Sequence, residues 1–198
     1  YLDAVNRGNT SKAQEMVDQA AKSEGYTLGP VTHLTNSEFN QFDVSKLSKS
    51  AIMCPAIYAS MPGSKEWSFG GKRKISAYVS GDVLDITQPL KPSDSQRLSK
   101  LLGREIRDSF PAFSLEKRFG SISEGLAEAG YSAVIHAGPS DIKHIAIFSP
   151  DNIKSADPVT YDDSGNVIPL SQRFKSGSDI RYQPDSSVNG AFNFSNGY

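Results

Sequence analysis

The chain has 198 residues, enough for one domain with an ordinary hydrophobic core, and its 21 basic and 22 acidic side chains leave a net charge of −1. That balance excludes a global basic field of the kind that holds nucleic acid or an anionic membrane. No run approaches the ~20 apolar residues of a membrane-crossing helix, and the single cysteine, Cys54, has no partner for an internal disulfide. The sequence starts at Tyr1 with no basic-then-apolar leader, so it reads as a fragment of a longer polypeptide working in a cytoplasm, its own or that of a host cell receiving a larger protein.

Residues 1–24 read as helical. Thr10 or Ser11 can cap a segment in which Ala13, Met16, Val17, Ala20 and Ala21 recur at helical spacing, and Gly25 ends it. From Pro30 the pattern changes to short apolar runs broken by Gly, Pro and Ser, which predicts strands over 30–34, 55–59, 74–80 and 82–86. A helix is expected over 93–107, capped by Ser93 after Pro92, with Leu98, Leu101, Leu102 and Ile106 as its buried stripe. Ser121-Ile122-Ser123-Glu124 is a capping-box pattern opening a short helix that Gly130 closes. Strands follow over 132–136 and 143–148. Asn152 to Ser155 read as a turn packing back on the sheet. Residues 176–198, rich in Ser, Asn, Gly and Asp, read as an irregular tail. Strands outnumber helices and no repeat is present, so the fold class is α+β.

Three segments can bring chemistry to one place. His33 stands near the end of the first strand, with Thr35 two residues on; both can exchange hydrogen bonds with a ribose hydroxyl. Tyr58 sits in an apolar strand, where it is either a core aromatic or a flat face for a planar ring. Ser60 points to the same side as Tyr58. In the strand from Lys143, His144, Ala146 and Phe148 share one face. The three histidines and Cys54 lack the spacing of a metal site, and no G-x-S-x-G elbow of a serine hydrolase is present. Cys54, between Met53 and Pro55, reads as buried filler. Lys72-Arg73-Lys74 reads as a solvated hairpin tip or a contact for pyrophosphate or a nucleic-acid backbone.

These residues resemble the ADP-ribosyltransferase domain found in polyvalent proteins of phages and other mobile elements. The helix ending in Ala20-Ala21-Lys22-Ser23-Glu24-Gly25-Tyr26 is similar to that domain's lead-in. Val31-Thr32-His33-Leu34-Thr35, followed by Glu38-Phe39-Asn40-Gln41-Phe42-Asp43, resembles its first motif, and Ala56-Ile57-Tyr58-Ala59-Ser60 its second. Gly130 to Ile135 and Ile147 to Ala156 resemble the third block and its exit turn. Gly165 to Phe174 and Asp179-Ile180-Arg181-Tyr182 resemble the domain's close, so the likeness covers about residues 1–182.

The resemblance implies an ADP-ribosyltransferase-like split β-sheet core over 29–175, a helical lead-in over 1–28 and a tail over 176–198. It implies a toxin-like glycosyltransferase that cleaves the nicotinamide N-glycosidic bond of NAD, as co-substrate, and transfers ADP-ribose to a protein or nucleic-acid acceptor. The alternative is a catalytically degenerate module that binds NAD or a partner. His33, Leu34, Thr35, Tyr58 and Ser60 would bind NAD, with His33 and Thr35 on a ribose and Tyr58 stacked on nicotinamide, and His33, Tyr58 and His144 would form the catalytic set. Two positions depart from the family pattern: Leu34 replaces a Gly, and His144 stands where a Glu is usual. Asp141 is the nearest acid to that strand. The expected geometry is that His33 and Tyr58 border one dinucleotide-sized hollow.

Overall fold

The computed structural model describes residues 1–47, 55–65, 71–107, 123–137 and 142–183. Within them run α1 (Leu2–Asn6), α2 (Thr10–Ser23), β1 (Leu28–Thr35), β2 (Ile57–Ser60), β3 (Arg73–Val79), β4 (Val83–Asp85), α3 (Pro92–Leu102), α4 (Ser123–Glu128), β5 (Ala133–Ala137), β6 (Lys143–Ile147), β7 (Ile153–Ser155) and α5 (Leu170–Arg173). The strands form one seven-stranded sheet in the order β4-β5-β6-β2-β1-β3-β7. Every neighbouring pair is antiparallel except β4 with β5. The α+β class read from the pattern is the class observed.

Helix ends differ from expectation in instructive ways. The cap of α2 is Asn9, whose side-chain oxygen accepts from the Lys12 amide at 3.0 Å, so neither Thr10 nor Ser11 serves. Ser93 does not cap α3 either. Pro92 is its first residue, a position where the missing N–H costs nothing. Gly103, at φ +62, ends α3 five residues short of the expected stop, and Ile106 folds back so that its amide donates to Ser99 Oγ at 2.7 Å. The segment after Pro150 is more than a turn: Ile153–Ser155 pairs with β3 as the seventh strand. Only the second half of the capping box, Ser123 onward, lies within the described residues.

Alternation along the strands divides the sheet into two faces. The front face carries two separate covers. Over β4, β5 and β6, α3 and α4 bury Leu84, Leu98, Leu126, Val134 and Ala146. Over β3, α2 and α5 bury Val17, Ala21, Tyr78 and Phe174. The lead-in helix therefore belongs to the same core as the sheet it precedes. The back face is a continuous aliphatic layer of Val31, Ile57, Ala59, Ala77, Ile145, Ile147 and Ile153, closed by Phe42 and Ile180. Ile180 is consequently part of this core, inside a stretch expected to be irregular tail; residues 184–198 lie outside the described residues.

Gly29 marks the one irregularity in the β1–β3 ladder, between Leu28 and Val31. Its φ is +126, and an added Cβ would stand 2.8 Å from the Ala77 carbonyl oxygen, which belongs to the paired backbone and cannot turn away. Gly29→Ala is expected to cost about 1–3 kcal/mol, read as a lowered thermal midpoint.

Candidate functional site

Five polar residues form a row straight across five adjacent strands. Registered partners connect Ser76 to Thr32, Thr32 to Ser60, Ser60 to His144, and His144 to His136. Directly paired residues share a face, so all five point to the front. The row spans four inter-strand steps, about 19 Å. Thr32 and Ser76 are half-exposed, whereas Ser60, His144 and His136 are buried. Beside the row, Tyr58 packs against the α3–α4 cluster and meets His136 edge-on, centroids 6.1 Å apart at 89°. The two imidazoles lie 5.5 Å apart.

The sheet is weakest in the middle of this row. β1 shares six registered pairs with β3, and β2 shares four with β6, but β1 and β2 share only Thr32↔Ser60. Beyond that pair the two strands part company, and the His33 ring enters the seam. Its Nδ1 lies 2.7 Å from the Tyr58 carbonyl oxygen. A carbonyl can only accept, so Nδ1 carries the proton and neutral His33 keeps its Nε2 lone pair. Burial holds the His33 pKa below the usual imidazole range, with the bond to Tyr58 opposing in part. The ring is backed by Phe39 and Phe42, at 6.2 and 5.0 Å.

This arrangement corrects the expected geometry. The register that sends Ser60 and Thr32 forward sends His33 and Thr35 to the back face, and Tyr58 and Leu34 to the front. His33 and Tyr58 do not wall one hollow with their rings; they meet through the Tyr58 backbone. Thr35 is likewise no partner for the front-face set, and its hydroxyl accepts from the Ser37 amide in a local turn. The front hydroxyl on β1 is Thr32. Thr32, Ser76 and His136 escaped sequence reasoning because nothing local marks them. Their signal is cross-strand register, which involves partners far along the chain.

Of the remaining expectations, Cys54 and Asp141 lie outside the described residues. Arg73 and Lys74 open β3 instead of forming a hairpin tip, with Arg73 bonded to Glu38 at 2.8 Å. Among the described residues no group of three metal-ligating side chains comes together, and no helix is long and apolar enough to cross a membrane. A pocket of about 410 Å³ lies near the opposite end of β3, lined by Tyr26, Ser80, Asp151, Asn152 and Phe174 among others, and contains none of the residues above.

The buried histidines are held neutral. Burial, and then the neighbouring His144, push His136 down to about 4, while burial alone lowers His144. Between pH 6.5 and 4 an unfolded chain takes up the His136 proton and the folded one refuses it. Stability is therefore fully present above about 6.5 and falls as pH drops through that window, by an amount of order 3 kcal/mol. Denaturant titrations from pH 7.5 to 4 should show this loss, and His136→Phe should flatten it.

The chain matches no family model, no curated protein and no solved structure.

Proposed function

We propose that the front-face row is a dinucleotide site and that the domain is an NAD-dependent ADP-ribosyltransferase. The observation carrying this reading is the row itself: hydroxyls and imidazoles at strand spacing, about 19 Å long, crossing five strands of the sheet on one face. A ligand that is long, flat at one end and rich in hydroxyls suits such a strip, since hydroxyl and imidazole groups exchange hydrogen bonds with sugar hydroxyls, and Thr32 and Ser76 are its half-exposed end. Tyr58 offers an aromatic wall beside Ser60 and His144 for the planar end. The order of the motif residues along the chain, His33, Tyr58, then His144, supports the same reading.

In this reading Thr32, Ser60 and His144 hold the nicotinamide ribose. The bond from ribose C1′ to the nicotinamide nitrogen breaks, its electron pair leaving with nicotinamide. An acceptor nucleophile then bonds to C1′ and releases its proton. Positive charge builds on the sugar as the bond breaks. Neutral His144 adds no opposing charge, which a protonated imidazole would; it also supplies none of the stabilisation a carboxylate gives. His33 acts from behind, holding β2 in place through the Tyr58 carbonyl.

A second reading is favoured by one observation: none of the described strand residues on the front face is a carboxylate. That suits a module that binds NAD without cleaving it. Incubating the protein with NAD and measuring free nicotinamide separates the two, because saturable binding without release supports the second. His144→Glu is expected to raise nicotinamide release at least tenfold. A fall would mean that the imidazole itself takes part.

A further inference from the structure

Among the described residues Lys154 is the most completely buried cation that the proposed chemistry leaves unused. It lies in β7, is 0% exposed, and reaches beyond the sheet to donate to the carbonyls of Gly177 and Asp179 at 2.7 and 2.6 Å. Burial pushes its amine down to about 8, against the opposing pull of Asp179 and Asp151, so it is charged at neutral pH. Burying an ammonium is costly where a Met would pack as well. Its contacts show what the charge holds. Both accepted bonds fall on the strap of residues 177–181, which covers the outer edge of β7, where the Ser155 amide donates to Ile180 O at 2.7 Å.

The strap does more than cover an edge. The Ile180 amide donates to Asn40 O at 2.8 Å, and Gln41 bridges to Asp179. Among the described residues these are the long-range backbone ties of the loop that follows β1. The same loop carries Phe39 and Phe42, whose rings lie 4.8 Å apart and back the His33 imidazole. The path thus runs from Lys154 to the strap, from the strap to Asn40–Gln41, through two phenyl rings to His33, and from Nδ1 to β2.

We infer that Lys154 is a positioning residue for the front-face site: its ammonium pins the strap that seats Phe39 and Phe42 against His33, and so fixes the ring that holds the Tyr58 carbonyl. The role of His33 in that site rests on the function proposed above. The coupling between Lys154 and His33 does not, and it can be measured without turnover.

The chain contains three histidines, which makes a selective test possible. In the full chain labelled with ¹⁵N-histidine, the His33 ring should show a proton fixed on Nδ1 and a pKa below 6.5. In Lys154→Met, that proton should exchange rapidly with solvent and the His33 pKa should rise towards 6.5, while the His136 and His144 signals, on the other face, keep their positions. Arg181→Ala gives a second route. It removes the strap's outer fastening to Asp163 and the Tyr161 carbonyl, at 2.9 and 3.2 Å, and the ion pair with Asp179 inside the strap, and should produce the same His33-selective change even if Lys154→Met does not fold. An unchanged His33 in either folded variant overturns the inference, as does an equal shift of all three rings. A selective His33 change in a protein that never releases nicotinamide leaves the inference standing and removes the proposed activity instead.

Discussion

His33→Ala is expected to lower nicotinamide release from NAD by about 100-fold or more, corresponding to roughly 2.7 kcal/mol of transition-state stabilisation. The bond at stake, Nδ1–H to the Tyr58 carbonyl, spans the one place where the sheet has a single registered pair. Without it the Thr32–Ser60 pair and the back-face packing of Val31 with Ile57 and Ala59 are left to hold β2 beside β1, and the front-face hydroxyls lose their spacing. Fold stability should change less than activity, because the flanking ladders of β3 and β6 remain intact. His33→Asn discriminates between two roles. An Asn side chain can present an N–H near the position of Nδ1 but has nothing at Nε2. Recovery of a substantial fraction of activity in Asn means that His33 acts by holding β2. An Asn variant as dead as Ala means that the ring itself meets the ligand.

Tyr58 needs a different substitution. Its ring packs against the α3–α4 cluster, so Tyr58→Ala would remove core contacts along with any ligand contact. Tyr58→Leu keeps much of the apolar volume while discarding the aromatic face, and is the better probe of stacking.

The second large effect concerns stability. Arg173 is 1% exposed and donates from one terminal nitrogen to the carbonyls of Ser155 and Asp157, at 3.2 and 2.7 Å, and from the other to Pro158 O and Tyr1 Oη, at 3.5 and 3.4 Å. It ties α5 to the exit of β7 and to the first residue of the described chain. Arg173→Met keeps the stem volume and takes the guanidinium from the Ser155 and Asp157 carbonyls, the first of them buried, while Pro158 O keeps its bond from Tyr1 Oη at 3.1 Å, at a cost of about 3 kcal/mol. For a chain of this size that lowers the melting midpoint by roughly 6–12 °C. The nicotinamide assay run well below that midpoint should be unaffected, since Arg173 lies against the α2–α5 cover and touches no residue of the polar row. A variant with a parental midpoint would show that water reaches those carbonyls and replaces the guanidinium.

How much of this was legible in the sequence depends on the distance over which each feature is encoded. The helical stripe through Ala13, Val17 and Ala21, the strand cores around Val31, Ile57 and Ile145, and the stop at Gly25 were readable because helix and strand periods are local properties of neighbouring residues, whereas the stop at Gly103 was passed over because Ile106 continues the apolar spacing. The α2 cap was misread by one residue, since Asn9, Thr10 and Ser11 are all competent and only the direction of chain entry selects among them, and the α3 cap by two, Lys91 standing there where Ser93 was expected. The α+β class, the helical lead-in and the first two motif strands followed from the same local patterns. Tertiary structure alone determined which side chains share a face. Period-two alternation in a strand has an arbitrary phase until its partners are known, and the pairing of Thr32 with Ser60 sets that phase for β1 and β2 together. That register turns His33 and Thr35 to the back; with those of the neighbouring strands it joins Ser76, Thr32, Ser60, His144 and His136 into a row, and the β3–β7 pairing sets Lys154 where it reaches a strap more than twenty residues further along the chain.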